Sequence, residues 1–157
     1  MRFIILSQSA KEEFKHILCE YLFGKLSEIS RKYGTDFEKK VIISEEEIKE
    51  FRKFFPNTIG QSIPENESQV EIRIYTENSQ KVYMYFKTRS VGIDKNISEI
   101  ITDEFLILKD PAYIDEVCNF VVNFYEKIVK LEKEFADNLS SLFQQTNVFK
   151  ITKIKQL

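Results

Sequence analysis

The sequence lacks most of the residues from which enzymes build recognisable sites. Among its 157 residues are four glycines, two cysteines, one histidine and no tryptophan. Four glycines are little material for a phosphate-binding loop, which needs several of them close together. One histidine and two distant cysteines do not give the ligand spacing of a zinc site. We therefore expect no cofactor, no metal and no enzymatic activity, although a site assembled from scattered residues would leave no motif.

Long apolar runs are also missing. No segment approaches the roughly 20 apolar residues that span a bilayer, and the apolar opening at residues 3–6 is too short for a signal peptide. The net charge of −2 is unlike that of a dedicated nucleic-acid-coating protein, which is usually basic. We expect a cytoplasmic protein that does not enter a membrane.

The clearest element is a C-terminal helix over residues 111–146. Asp110 can accept hydrogen bonds from the free amides of the first turn, and Pro111 suits the first helical position. Apolar residues then recur every three or four positions, which places them on one side of a helix. These positions are Ile114, Val117, Val121, Phe124, Ile128, Leu131, Phe135, Leu139 and Leu142.

The length of this helix conflicts with the size of the protein. A helix of this span is roughly 54 Å long, whereas a compact domain of 157 residues is only about 40 Å across. The helix must therefore break, near residues 137–138 or 140–141, or its end must protrude. A protruding end needs a partner, either another protein or a second copy of the chain; the alternative is that it packs back on the first helix. The predicted partner-binding residues are Phe135, Leu139, Leu142 and Phe143.

The first half of the chain predicts two helices. Ser9 and Glu12 form a capping box that begins the first helix, and Gly34 can end it. Ser44 and Glu47 begin the second helix, which stops before residue 56. Short strands are expected at residues 3–6 and 41–43, and a long, mobile polar loop at residues 57–68.

The middle of the chain predicts a β-hairpin. Residues 69–76 and 81–89 alternate between apolar and polar side chains, and residues 78–80 between them are turn-like. A loop at residues 90–95 and a single helical turn at residues 96–102 should follow. The apolar run at residues 105–108 reads as a third strand that leads into Asp110.

The outer face of this hairpin is a candidate nucleic-acid-binding surface. Aromatic side chains between basic ones can stack on bases and contact phosphates. The same side chains also stabilise a hairpin across its strands, which is the ordinary structural interpretation. The candidate residues are Arg73, Tyr75, Tyr83, Tyr85, Lys87 and Arg89.

The single histidine is a weaker candidate. Glu12 and Glu20 lie four residues on either side of His16, and Cys19 lies three residues after it, so a helix would align possible metal ligands. A solvated helix face with weak ionic attraction explains the same spacing. We favour that interpretation, and we expect Cys19 and Cys118 to be reduced residues on apolar helix faces.

These patterns together predict one α+β domain over residues 1–157, with N-terminal helices, a small antiparallel sheet built on the 69–89 hairpin and a long C-terminal helix. Residues 136–157 would form the protruding helix end and a short basic tail. The function we expect is that of a non-enzymatic protein-binding module, such as an adaptor, an assembly component or an inhibitor. The alternative is a nucleic-acid-binding module that uses the hairpin.

Overall fold

The computed structural model describes residues 7–145; the strand predicted at residues 3–6 and the basic tail predicted at residues 148–157 lie outside that range. Between residues 7 and 145 the chain forms four helices and four strands, and the fold is α+β as predicted. In chain order the elements are α1 (Gln8–Lys32), β1 (Lys39–Ser44), α2 (Glu45–Phe54), β2 (Gln69–Glu77), β3 (Lys81–Lys87), β4 (Gly92–Asn96), α3 (Ile97–Leu108) and α4 (Pro111–Gln145).

The four strands form an antiparallel meander in the order β1-β2-β3-β4. Its centre is the predicted hairpin, in which Tyr75 lies opposite Tyr83. Three residues, 78–80, connect the two strands, and the Gln80 amide donates a hydrogen bond to the Glu77 oxygen at 3.4 Å. Asn78 and Ser79 at the centre of this turn both have positive φ, which suits the right-handed twist of the flanking strands. Alternation then buries one face of the sheet beneath the helices and leaves the other face in solvent. The buried side chains of β2 and β3 include Val70, Ile72, Ile74, Val82, Met84 and Phe86.

Two helix starts differ in detail from the prediction. Helix α1 begins after Ser7, whose hydroxyl accepts a hydrogen bond from the Ala10 amide at 3.1 Å, and not at Ser9. Helix α2 begins after Ser44 as predicted, but the Ser44 side chain makes no capping hydrogen bond. Its first turn consists of three glutamates, which the helix dipole favours at that end. At the other end of α1, Gly34 has a φ of 63°, as expected for a residue that ends a helix.

The prediction between residues 90 and 108 is wrong in two places. Residues 105–108 are the last turn of α3 and not a strand, because Asn96 caps a helix whose buried face continues through Ile101 to Phe105. The expected loop at residues 90–95 contains β4, a strand that pairs with β3 and places Ile93 opposite Phe86. Both errors concern short segments whose conformation is set by tertiary contacts.

The loop at residues 57–68 is packed onto the body of the protein. Ile59 and Ile63 are almost completely buried, so this loop contributes two side chains to the core. Gly60 is required there, since a Cβ at this position would lie 2.6 Å from the backbone oxygen of Pro56. We expected mobility because most residues of the loop are polar, but the two buried isoleucines hold it on the body.

The core lies between the sheet and the helices. Helix α1 packs against α3 and α4, and buries Leu18, Leu22 and Leu26. An aromatic cluster joins α2 to α4, with the Phe51 ring 4.9 Å from the Phe124 ring, measured between centroids. These contacts fix the position of α4, the element that carries the main candidate site.

Candidate protein-binding arm

Helix α4 begins where the sequence predicts. An oxygen of the Asp110 carboxylate accepts a hydrogen bond from the Ala112 amide at 3.1 Å, and Pro111 is the first helical residue. The helix then continues without a break for 35 residues. Of the two outcomes allowed by its length, the structure therefore shows the second: the helix end protrudes.

The first half of α4, residues 111–129, is built into the body of the protein. Val117, Val121 and Val129 are completely buried. Tyr125 is also buried, and its hydroxyl donates a hydrogen bond to the backbone oxygen of Phe37 at 2.6 Å. Burial raises the pKa of Tyr125 to about 12. The apolar residues that recur along one side of α4 form a stripe, and in this half of the helix all of them pack against the body of the protein.

An ion pair marks the edge of the body. The ammonium group of Lys39, at the start of β1, lies 3.1 Å from a carboxylate oxygen of Glu132. The Lys39 side chain is only 3% exposed, whereas that of Glu132 is 54% exposed. Because an ammonium group is costly to bury alone, the Glu132 carboxylate fixes the helix against β1 at this point.

Beyond that edge α4 projects into solvent. We call residues 130–145 the arm; every one of residues 130–144 is exposed. The apolar stripe nevertheless continues, and its exposed residues lie on the same side of the helix as Val121 and Ile128. Their exposed fractions are 52% for Leu131, 66% for Phe135, 39% for Leu139, 55% for Leu142 and 53% for Phe143.

Charge divides the arm into two halves. Residues 130–137 contain two lysines, two glutamates and one aspartate, whereas residues 138–145 contain no charged residue. The charged half includes the pair between Lys133 and Asp137, whose atoms lie 3.9 Å apart on the side of the helix opposite Phe135. The apolar stripe is therefore not covered by salt bridges of its own helix.

The structure brings all four predicted partner-binding residues onto this arm. Phe135, Leu139 and Leu142 form one row, and Phe143 widens it towards the tip. A row of large apolar side chains along an exposed helix is the pattern of a surface that pairs with another helix or enters a groove.

The predicted nucleic-acid surface is only partly assembled. Five of its six residues share the outer face of the sheet, where the rings of Tyr75 and Tyr83 stack with centroids 5.3 Å apart. The guanidinium of Arg73 lies 4.7 Å from the Tyr75 ring centroid and 5.0 Å from that of Tyr85. The sixth residue, Arg89, lies beyond the end of β3.

Acidic neighbours balance most of the positive charge on this face. Glu38 pairs with Arg73 at 3.5 Å, and Glu67 pairs with Arg89 at 3.9 Å. Asp94 accepts a hydrogen bond from the Tyr75 hydroxyl at 2.6 Å, and this bond raises the pKa of Tyr75 to about 12. The face is therefore a mixed network of rings and opposite charges and not a basic strip.

The residues around His16 separate in the structure. His16 lies 3.1 Å from a carboxylate oxygen of Glu20, and both side chains are 71% exposed. Cys19 turns inward instead, and its sulfur lies 3.0 Å from the Ser98 hydroxyl. Both cysteines are free thiols. Over residues 7–145 no group of three or more potential metal-ligating side chains comes together.

One feature that sequence reasoning missed is a groove between α2 and α4. It encloses about 620 Å³ above a floor that includes Phe54 and Phe120, whose rings stack with centroids 4.4 Å apart. Glu47, Glu50 and Lys127 lie at its rim. The helical spacing of Phe51 and Phe54 is visible in the sequence, but the approach of α2 to Phe120 on α4 is not.

A second missed feature is the buried carboxylate of Glu104 on α3. It accepts hydrogen bonds from the backbone amides of Asn57 and Thr58, at 2.8 and 2.5 Å, and from the Asn57 side chain at 2.9 Å. Glu104 thereby holds the 57–68 loop on the body, and its three donors satisfy a charge that would be costly to bury alone. Burial, followed by the charge of Glu104, also raises the pKa of Tyr113 well above its usual range. Nothing local in the sequence signals these contacts, because Glu104 lies 47 positions after Asn57 and 46 positions after Thr58.

None of the helices described between residues 8 and 145 is long and apolar enough to cross a membrane. Comparison with protein-family models, with curated proteins and with solved structures gave no match for this chain. The arm is therefore the feature from which a function can be argued.

Proposed function

We propose that this chain is a small, non-enzymatic protein-binding module of the cytoplasm that binds through the arm of α4. The observation that supports the proposal is the exposed row of apolar side chains at residues 131–143, which continues the core stripe past the edge of the body. Exposing Phe135 and Leu139 to water is unfavourable, and covering them on a partner would recover part of the roughly 1.5–3 kcal/mol that full burial of such a side chain contributes. An adaptor, an assembly component and an inhibitor would all use such an arm.

The test is capture of a partner by the full chain. A tagged wild-type chain and its Phe135→Glu variant are incubated in lysate of the source cells at moderate salt, after nuclease treatment. We expect a stoichiometric protein partner with the wild type and its loss with Phe135→Glu, because a carboxylate in the middle of a buried row is strongly unfavourable.

The matched control is Ile17→Glu on α1. Ile17 is 55% exposed and also helical, so this substitution places the same charge on a similar apolar residue outside the arm. The control should keep the partner. Retention of the same partner by Phe135→Glu would contradict the proposal.

The alternative function is nucleic-acid binding by the outer face of the sheet. It is supported by the stack of Tyr75 and Tyr83 beside the Arg73 guanidinium, since exposed rings with a neighbouring cation can accept bases. Its test is binding of labelled single-stranded RNA by wild type and by a Tyr83→Ala, Tyr85→Ala, Arg89→Ala triple variant. Binding that weakens steeply with salt, and that the triple variant loses while Phe135→Glu keeps it, would favour this alternative.

A further inference from the structure

We infer that the occupant of the arm is a second copy of the same chain, with the two arms packed antiparallel. This inference rests on the proposed function, because it names the partner at the same surface. Three properties of the arm support it: the spacing of its apolar residues, the division of its charge, and the apolar area that pairing would cover.

The spacing of the row is self-complementary. Four of the five exposed apolar residues of the arm, Leu131, Phe135, Leu139 and Phe143, are each four residues apart. These four have the same spacing when they are read in either direction. In an antiparallel pair centred between Phe135 and Leu139, every phenylalanine of one arm lies opposite a leucine of the other. A large side chain against a smaller one keeps the interhelical distance even and lets the two rows interdigitate. A parallel pair in register would instead place phenylalanine against phenylalanine and leucine against leucine.

The charge of the arm favours the same arrangement. All of its charged residues lie in residues 130–137, and the tip at residues 138–145 has none. An antiparallel pair centred between Phe135 and Leu139 sets residues 130–136 of each arm against the uncharged residues 138–144 of the other. Only Asp137 lies opposite its own copy, and it is on the side of the helix away from Phe135, where it pairs with Lys133. A parallel pair would bring the two Glu132 carboxylates together beside the row, where like charges are destabilising. It would also place both bodies at the same end of the pair.

The area available is that of a weak but specific dimer. Covering the exposed apolar residues of both arms would bury on the order of 1,000 Å² in total, which is near the lower limit for a specific interface. We therefore expect a reversible dimer with a Kd on the order of 10 μM. Twofold symmetric dimers of this kind are the commonest form of self-association.

Sedimentation equilibrium of the full chain, over about 1 to 500 μM, tests the inference. The wild type should pass from monomer to dimer, Phe135→Glu should weaken association at least about 100-fold because the change occurs in both arms, and Ile17→Glu should associate like the wild type. Circular dichroism of each variant establishes that it is folded. A wild type that is monomeric throughout, or a dimer that Phe135→Glu leaves intact, would overturn the inference.

Cysteine cross-linking tests the direction of the pair. Phe135→Cys and Leu139→Cys are prepared separately in a background in which Cys19 and Cys118 are replaced by alanine. The antiparallel arrangement predicts a disulfide only when the two variants are mixed, since position 135 of one copy then lies beside position 139 of the other. Cross-linking of either variant with itself, without a gain on mixing, would overturn the arrangement.

The outcomes for the dimer and for the proposed function are distinguishable. In the first outcome, the wild type is monomeric and Phe135→Glu abolishes capture of another protein. This outcome supports the protein-binding function and refutes a second copy as the occupant of the arm. A chain whose association and whose captured proteins are both unchanged by Phe135→Glu refutes the two together.

Discussion

The two halves of α4 have the same periodicity and opposite environments. In residues 111–129 the apolar stripe is buried, with Val117, Val121 and Val129 inaccessible to solvent. In the arm the stripe continues on the same side of the helix, yet Phe135 is 66% exposed. The stripe stays apolar across this change in burial, although its aliphatic residues change from valine and isoleucine to leucine.

The comparison shows that an apolar stripe determines which side of a helix can pack, but not what packs there. The body reaches α4 as far as Lys39, which pairs with Glu132, and elements beyond that point would be needed to cover the arm. Because residues 130–144 are all exposed, the arm relies mainly on its own backbone hydrogen bonds and intrinsic propensity, which are worth little for a short segment. The two halves should therefore differ most in local stability.

Hydrogen exchange should show the largest difference. At concentrations where the chain is monomeric, amides of the arm should open at a cost of about 0–2 kcal/mol, whereas those of residues 117–129 should approach the global stability of about 5–15 kcal/mol. Exchange measured by mass spectrometry should thus be at least about a hundredfold faster in the arm. Equal protection of the two halves would show that the arm is held by contacts within one chain.

Truncation of one ring in each half should show the next largest difference. Phe124 is 7% exposed and contacts the Phe51 ring, so Phe124→Ala should lower the free energy of unfolding by about 3–5 kcal/mol. Phe135→Ala in the arm should change it by less than about 0.5 kcal/mol under monomeric conditions. Urea unfolding followed by circular dichroism measures both values, and a cost above about 2 kcal/mol for Phe135→Ala would contradict the assignment of the arm as unsupported.

The ion pair at the boundary offers an asymmetric test. Glu132→Gln removes the partner of a buried ammonium group and should destabilise the chain by about 1–3 kcal/mol. Lys39→Met removes the buried charge itself and leaves Glu132, which is half exposed, in contact with water. That substitution should therefore change stability by less than about 1 kcal/mol. An equal loss of stability in the two variants would contradict this expectation. It would indicate that the attraction between Lys39 and Glu132, and not the cost of burying the ammonium group alone, determines the effect.

Local signals in the sequence were sufficient for most elements. Asp110 and Pro111 gave the start of α4, since a cap depends only on neighbouring amides. The alternation of apolar and polar residues predicted β2 and β3, because one face of their sheet is buried and the other is not. The length of α4, compared with the diameter of a compact domain, left two outcomes, a break in the helix or a protruding end, and the structure shows the second.

The errors arose where distant residues decide the local conformation. The apolar run at residues 105–108 fits a strand or a buried helix equally well, and the packing of α3 against α1 selects the helix. β4 is a strand because β3 offers it an edge.

The candidate site divides in the same way. The row from Phe135 to Phe143 was predictable, since it needs only one helix and its spacing. The groove above Phe54 and Phe120 and the anchoring of the 57–68 loop by Glu104 were not predictable, because each joins elements that are distant along the chain.

Alkaline titration should show the smallest and most specific difference between the halves. The Tyr125 hydroxyl donates to the Phe37 oxygen, so near pH 8 Tyr125→Phe should cost about 1 kcal/mol. Because burial raises the pKa of Tyr125 from 10 to about 12, the folded state retains a proton that the unfolded state releases above pH 10. Wild-type stability should therefore be unaffected by this group below pH 10 and should fall between pH 10 and 12, by about 1.4 kcal/mol per pH unit.

The phenylalanine variant lacks this loss, so its stability should equal that of the wild type near pH 11 and exceed it at higher pH. Urea unfolding of both proteins at pH 8, 10 and 11 measures the crossing, and a constant difference across that range would show that Tyr125 titrates normally. The same series on Phe135→Ala should show no pH dependence beyond that of the wild type, because this substitution neither adds nor removes a titratable group.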